Sequence, residues 1–237
     1  MRAAVPRKIR LSERHVAALA REIADPGFSL LPGFRAATDA DYDAIVGDII
    51  AAAPDDGLWV FAYGSLIWNP AFDFIDSHVA VARGWHRAFC LGWDRRFRGN
   101  PEQPGLMMAL ERGCQCRGVI YRLPPDALKP NMDKLIRREM SMVPTAFPPR
   151  WINAVTADGP VRALTFAMNR NSGRYINGLS ADALADILAT ACGFRGSMAE
   201  YLFSTVAHLE ELGIHDRHLW QMQELVARRI EEAHAIS

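Results

Sequence analysis

The apolar and polar positions change their spacing twice along the chain. Residues 1–55 contain two stretches with apolar residues at helical spacing, one predicted over 12–22 and one that begins at Asp39. From about residue 58 to 168 the apolar positions form short runs of β character, separated by Gly, Pro and Asp. Helical spacing returns after Gly178. Strands followed by helices predict an α+β fold.

Short strands separated by Gly, Pro and Asp are typical of a curved sheet or a small barrel, and residues 1–55 are predicted to form an N-terminal helical extension to a domain over 56–237. The predicted strands are 58–62, 78–83, 85–92, 106–111, 115–123, 151–156 and 161–168. The predicted helices are 130–142, 180–192, 197–212 and a last one after Asp216, in addition to the two of the extension.

The first strand ends in the sequence Tyr63, Gly64, Ser65, Leu66. Because Gly64 frees the backbone at this point, the following amide N–H groups can turn toward a bound anion. An ordinary turn after a strand is the alternative. A serine hydrolase would need a Gly two residues after Ser65, which is absent, so we expect Ser65 to offer its amide and hydroxyl to a ligand.

Glu139 is the strongest candidate for chemistry. It lies three or four residues beyond Leu135 and Ile136, on the apolar stripe of the predicted helix. Burial raises the pKa of a carboxyl, which would suit Glu139 to accept a proton near neutral pH. The alternative is a helix-edge position with an arginine as its partner, and periodicity does not decide between the two.

Two further residues have a structural and a functional interpretation. Arg98 lies in a basic loop, where it is either solvated or available to a substrate carboxylate. Tyr201 belongs to the core by helical spacing alone.

The amino-acid composition limits the classes of partner that the protein is expected to bind. The 27 Lys and Arg balance 27 Asp and Glu, so a nucleic acid or an anionic membrane is not expected as a partner, and no apolar segment is long enough to cross a bilayer. A small neutral or zwitterionic molecule is favoured. No signal peptide is recognised, and four scattered cysteines favour a reducing cytoplasm. The Cys114/Cys116 pair and His215/His218 lack the further ligands of a metal site, so no metal is expected.

Taken together, the segments resemble the ChaC family of gamma-glutamylcyclotransferases over residues 58 to about 226. The matching segments are 60–70, 84–91, 103–105, 118–124, 138–140 and 200–203. The resemblance implies a small mixed β-barrel with flanking helices, an enzyme that degrades glutathione, and no cofactor or metal. It assigns the loop of Tyr63, Gly64, Ser65 and Leu66 to binding the gamma-glutamyl group, and Glu139 to general acid/base work. We expect Arg98 and Tyr201 to be further substrate contacts.

The implied reaction is a cyclisation within the substrate. Glu139 takes a proton from the α-ammonium, the amine attacks its own γ-carbonyl, and 5-oxoproline forms as Cys-Gly leaves. The chain departs from the family at Ala62, where Gly is usual, at Leu106, where Arg is usual, and at Phe147, where a Tyr is usual. The alternatives are therefore another gamma-glutamyl peptide or amine as substrate, or a non-catalytic regulatory protein on the same fold. The sequence does not indicate the oligomeric state.

Overall fold

The computed structural model describes residues 8–234. Its contacts divide the chain into two compact units. One unit contains the described residues up to Phe28, Phe89–Met108 and the described residues from Gly173 onward. The other contains Ser29–Ala88 and Ala109–Ser172. The predicted boundary at residue 55 is a different division of the chain and stays a prediction.

The structure contains a five-stranded barrel, with the strands β2 (Trp59–Ala62), β3 (Asp76–Asp94), β4 (Gly105–Arg122), β6 (Pro149–Thr156) and β7 (Gly159–Phe166). The barrel is closed, in the order β2-β4-β3-β6-β7, which confirms the predicted fold class. Strands β2 and β7 run parallel, whereas β2 and β4, β3 and β6, and β6 and β7 pair antiparallel.

The seven predicted runs become five strands because four of them join in pairs. The runs 78–83 and 85–92 are one strand, β3, and the runs 106–111 and 115–123 are one strand, β4. The predicted break between the first pair lies at Gly84, which adopts a positive φ of 77° inside β3. Glycine tolerates this conformation, so the strand continues through a position that reads as a turn in the sequence.

Two helices accompany the barrel strands in the second unit, and both begin near their predicted positions. Helix α2 (Asp39–Ala51) starts after Thr38, whose side chain forms a capping box with Asp41. Helix α3 (Leu128–Glu139) buries the apolar side of its amphipathic surface through Met132, Leu135 and Ile136. The short strands β1 (Arg35–Ala36) and β5 (Met142–Val143) pair antiparallel.

The prediction that α3 continues to residue 142 was wrong, since the helix ends at Glu139. Met140 adopts an extended conformation, with φ −130° and ψ 94°, and Met142 enters strand β5. Pairing with β1 therefore competes with continuation of the helix. As a result, Glu139 occupies the last turn of α3.

The first unit is mainly helical. Ser197 caps α5 by accepting a hydrogen bond from the Glu200 amide, as predicted, but the Glu200 carboxylate accepts from Arg98 instead of completing the capping box. The elements of this unit outside the barrel are α1 (Glu13–Ala18), α4 (Ala181–Thr190), β8 (Cys192–Gly193), β9 (Gly196–Ser197), α5 (Met198–Glu211) and α6 (Arg217–His234).

Helix α1 is shorter than the predicted 12–22. It ends at Ala18, and the next residues leave helical geometry, with Arg21 bonded to Gln103 and to the Thr190 carbonyl. These two contacts, made to distant parts of the chain, favour a non-helical path after Ala18. No helix in the described residues is long and apolar enough to span a membrane.

Candidate active site

The loop after β2 turns into a short 3-10 helix, Ser65–Ile67. Its N-cap is Gly64, with φ −139° and ψ −129°, and the Ile67 amide donates to the Gly64 carbonyl over 2.9 Å. The side chain of Leu66 is buried, so only the backbone of this residue can contribute to a ligand. Tyr63 is partly buried and packs against the barrel core.

Side chains from three other segments hold this loop through its backbone carbonyls. Arg87, only 3% exposed on β3, donates from Nε to the Tyr63 carbonyl over 2.9 Å, and its Nη2 donates to the Arg117 carbonyl. The Tyr121 hydroxyl donates to the Ile67 carbonyl over 3.2 Å. Burial raises the pKa of Tyr121, which keeps this hydroxyl protonated as a donor at neutral pH.

Arg138 is the third anchor and joins the loop to helix α3. Its Nη1 donates to the Asn69 carbonyl over 2.5 Å, and its Nη2 donates to Ser65 Oγ over 3.2 Å. Its Nε lies 3.4 Å from Oε1 of Glu139. One guanidinium therefore brings together the two predicted site residues Ser65 and Glu139.

The environment of Glu139 combines features of both interpretations left open by the sequence. It has an arginine partner, Arg138, as the helix-edge interpretation predicted. It is also only 18% exposed at its side chain, and burial raises its pKa to about 7 while Arg138 opposes the rise. The C-terminal end of a helix carries a partial negative charge, which further disfavours an ionised carboxylate at this position. Glu139 is thus suited to exchange a proton near neutral pH and remains partly accessible.

Arg98 and Tyr201 belong to the first unit, where the structure brings them together. The Arg98 guanidinium lies 5.9 Å from the Tyr201 ring centroid, and its Nη1 donates to Glu200 Oε2 over 2.5 Å. Only 12% of the Arg98 side chain is exposed, so it is not the solvated loop residue of the alternative interpretation. Tyr201 is buried, in edge-to-face contact with Phe89, as its helical spacing predicted.

The other candidate chemistries find no support in the described part of the chain. Ser65 Oγ accepts from Arg138, and no histidine among residues 8–234 hydrogen-bonds to it. Within the same residues, no group of three His, Cys, Asp or Glu side chains is arranged to hold a metal.

Sequence reasoning missed Arg87, Tyr121 and Arg138 as residues that position the site. Arg87 and Arg138 stand in segments that match the family, but their partners are 24 and 73 residues away in the sequence. The sequence did contain a signal for Arg87, because this residue lies inside an apolar β run. An arginine that is buried in such a run nearly always has a hydrogen-bonding partner.

Comparison with known proteins shows the family to which the chain belongs. The family model described as "ChaC-like protein" matches residues 58–229. The glutathione-specific gamma-glutamylcyclotransferase of Escherichia coli (strain K12) is 40% identical over 169 residues, which cover 70% of this chain and 72% of that protein. The human glutathione-specific gamma-glutamylcyclotransferase 1 is 30% identical over 172 residues, covering 68% of this chain and 75% of that protein.

Among solved structures, the fold is similar to that of a gamma-glutamyl cyclotransferase specific to glutathione from yeast. The TM-score is 0.66 at 19% sequence identity, with 73% of this chain and 96% of that chain covered. At this identity the likeness shows the fold alone. The family match and the two sequence relatives show that the chain belongs to the ChaC-like family of proteins.

Proposed function

We propose that this protein is a gamma-glutamylcyclotransferase that cleaves glutathione to 5-oxoproline and Cys-Gly. The observation that carries the proposal is the partly buried carboxylate of Glu139, whose pKa is raised to about 7 by burial and which Arg138 links to the Ser65 loop. The names of the E. coli and human relatives support glutathione as the substrate.

In the proposed mechanism, Glu139 accepts a proton from the α-ammonium of the gamma-glutamyl group. The freed amine attacks the γ-carbonyl carbon, and the C–N bond to the cysteinyl nitrogen breaks as the five-membered ring closes. Protonated Glu139 gives its proton to the leaving nitrogen. The attacking nitrogen loses a second proton as it becomes the lactam N–H, and the amine of Cys-Gly gains one as it leaves as an ammonium, so protons balance over the cycle. Because nucleophile and electrophile belong to one molecule, the protein has to hold a folded conformer.

The loop of Tyr63, Gly64, Ser65 and Leu66 is proposed to bind the gamma-glutamyl group and to stabilise the developing oxyanion with its amides. Preorganised donors are effective only when they are held in place. The hydrogen bonds from Arg87, Tyr121 and Arg138 supply this rigidity. Arg98 and Tyr201 are proposed as further substrate contacts, and on Arg98 only Nη1 donates within the described residues, so Nε and Nη2 are available to a carboxylate.

A cytoplasmic location is part of the proposal. All four cysteines are free, and three of them are buried. Free thiols in this number are typical of a reducing compartment, where glutathione is abundant in its thiol form.

The direct test is incubation of the purified protein with glutathione and detection of 5-oxoproline and Cys-Gly by mass spectrometry. We expect both products in equal amounts, and a Glu139→Gln variant that folds but loses several orders of magnitude in kcat/KM. A fully active Glu139→Gln variant would exclude Glu139 as the base.

Two side chains justify a panel of other gamma-glutamyl compounds in the same experiment. Leu106 is fully buried, and Phe147 packs edge-to-face on Phe166 at 6.2 Å. Both positions therefore provide apolar packing where the family usually has polar side chains. Faster turnover of another gamma-glutamyl peptide or amine would identify that compound as the preferred substrate.

A further inference from the structure

The N-terminal segment that the structure describes, residues 8–28, precedes the region matched by the family model, which starts at residue 58. We propose that this segment braces the substrate loop, defined here as residues 94–103, and thereby sets the affinity for substrate through the position of Arg98. The segment and the loop belong to the same compact unit. The inference rests on the proposed function, because it assumes that Arg98 contacts the substrate.

The segment is anchored at its beginning to helix α6. Gln223 is fully buried, and its side-chain oxygen accepts from the backbone amides of Arg10, over 3.0 Å, and Leu11, over 2.8 Å. The Arg10 guanidinium forms a two-bond fork with Glu231, at 3.1 and 2.6 Å. The side chain of Leu11 is also fully buried. These contacts fix the start of the segment, so that its later residues can act as a brace.

The later residues of the segment contact the substrate loop at two points. Arg21 donates from Nη2 to the side-chain oxygen of Gln103 over 2.5 Å and to the Thr190 carbonyl over 2.9 Å. The Asp25 carboxylate accepts both arms of the Arg96 guanidinium, each over 2.8 Å. Two parallel hydrogen bonds of this kind fix the orientation of the Arg96 guanidinium as well as its distance from Asp25.

Arg96 and Arg98 are held by the same side chain of the loop, so a contact that limits the position of Arg96 also limits that of Arg98. The buried carboxylate of Asp94 accepts from the amides of Arg96, Phe97 and Arg98, over 3.1, 3.0 and 2.6 Å. The backbones of Arg96 and Arg98 are therefore held by one carboxylate. In addition, the Arg98 side chain donates to Glu200 and to the Ser197 carbonyl at the start of α5, and these bonds hold the guanidinium beside Tyr201.

The Asp25–Arg96 pair is suited to adjust binding rather than to stabilise the fold. Both side chains are partly exposed, 38% for Asp25 and 29% for Arg96, and pairs of this kind contribute little to folding. Arg96 also lies over the rings of Phe97 and Phe194, at 5.3 and 5.4 Å, so the loop keeps apolar support when the carboxylate is removed. Loss of the Asp25 carboxylate should therefore leave the loop folded and allow Arg98 a wider range of positions.

The test compares the KM for glutathione in the native protein and in its Asp25→Asn variant. We expect KM to rise by about two- to fivefold, the range that corresponds to one exposed ion pair, with kcat unchanged because Glu139 and the Ser65 loop are not altered. The double exchange Asp25→Arg with Arg96→Asp should return KM toward the native value. The matched control is Asp182→Asn, which removes a surface ion pair of α4 to Arg229 at 2.7 Å and should leave KM unchanged.

Amide hydrogen exchange of the same variants provides a readout that does not depend on turnover. In Asp25→Asn, the amides of Arg96, Phe97 and Arg98 should exchange faster than in the native protein and in Asp182→Asn. An unchanged KM in Asp25→Asn would overturn the inference, whether or not exchange changes. A native protein that turns over no gamma-glutamyl compound would refute the proposed function and the substrate role of Arg98 together, and unchanged exchange would then refute the brace as well.

Discussion

The guanidinium of Arg138 lies 3.4 Å from the carboxylate of Glu139, its neighbour in the sequence, and at the same time donates to the hydroxyl of Ser65, 73 residues earlier. This arrangement links the proposed general base to the loop proposed to hold the substrate. It also opposes the effect of burial, since the positive charge favours the ionised form of Glu139. The Arg138 side chain therefore affects both the protonation of Glu139 and the position of the loop.

The pH dependence of catalysis follows from the raised pKa of Glu139. As the proposed general base, Glu139 has to be ionised in the free enzyme, and its pKa is about 7. We expect kcat/KM for glutathione to rise with pH and to reach half of its plateau near pH 7. Initial rates over about pH 4 to 9 in a buffer of constant ionic strength measure this profile. A midpoint near 4.5, the ordinary value for Glu, would contradict the assignment.

Removal of the Arg138 guanidinium should shift the pH profile of kcat/KM. In Arg138→Gln the positive charge that lowers the pKa of Glu139 is lost, so the acid limb of kcat/KM should shift to higher pH. Loss of the hydrogen bonds to Ser65 and Asn69 should also lower the plateau by about tenfold, the effect of one charged hydrogen bond. Arg137→Gln is the control, because that neighbour pairs with Asp133 and Asp39. A profile that stays in place in Arg138→Gln would rule out the coupling.

The buried carboxyl should reduce stability at high pH. The pKa of Glu139 is about 7 in the folded protein and 4.5 as the reference for the unfolded chain. The folded state therefore holds a proton that the unfolded state loses between these values, and stability falls as pH rises from 4.5 through 7. Glu139→Gln lacks this penalty, so its free energy of unfolding should exceed the native value by at most about 3 kcal/mol at pH 8.

Urea unfolding at pH 8 and at pH 4.5 measures this difference. At the lower pH the carboxyl is largely protonated and the gain of Glu139→Gln should be small. Glu232→Gln, at an exposed position of α6, provides the baseline. A variant less stable than the native protein at pH 8 would show that the carboxylate contributes to folding.

The hydroxyl of Tyr121 provides a test of the loop anchors. Tyr121→Phe removes the hydrogen bond to the Ile67 carbonyl and keeps the ring contacts with Phe72 and Phe74, at 5.8 and 4.7 Å. The free energy of unfolding should fall by about 1 kcal/mol, and kcat/KM should fall several-fold because the Ser65–Ile67 turn gains freedom.

Chemical denaturation and steady-state kinetics with glutathione measure the two effects of Tyr121→Phe. Tyr42→Phe is the matched control, since Tyr42 belongs to α2 and its ring lies against the Arg137 guanidinium of α3. Equal kcat/KM in Tyr121→Phe and the native protein would mean that this anchor does not position the loop.

The succession of elements was predictable because it depends on local spacing. Helix α2 begins at Asp39 and the Ser197 cap opens α5, as the sequence predicted. Where prediction was wrong, a long-range contact overrode the local signal. Gly84 reads as a turn but lies inside β3, and Glu139 ends α3 where Met142 is drawn into pairing with β1.

The sequence by itself placed a carboxylate on the apolar stripe of a helix and a flexible Gly64 at the end of a buried strand, because periodicity and residue type are local properties. The tertiary structure decided the rest. Arg87, Tyr121 and Arg138 reach the loop across 24, 54 and 73 residues, separations in sequence that only folding of the barrel strands and of α3 brings within hydrogen-bonding range. The raised pKa of Glu139 likewise depends on the atoms that exclude water around it, and these are assembled only when the chain folds.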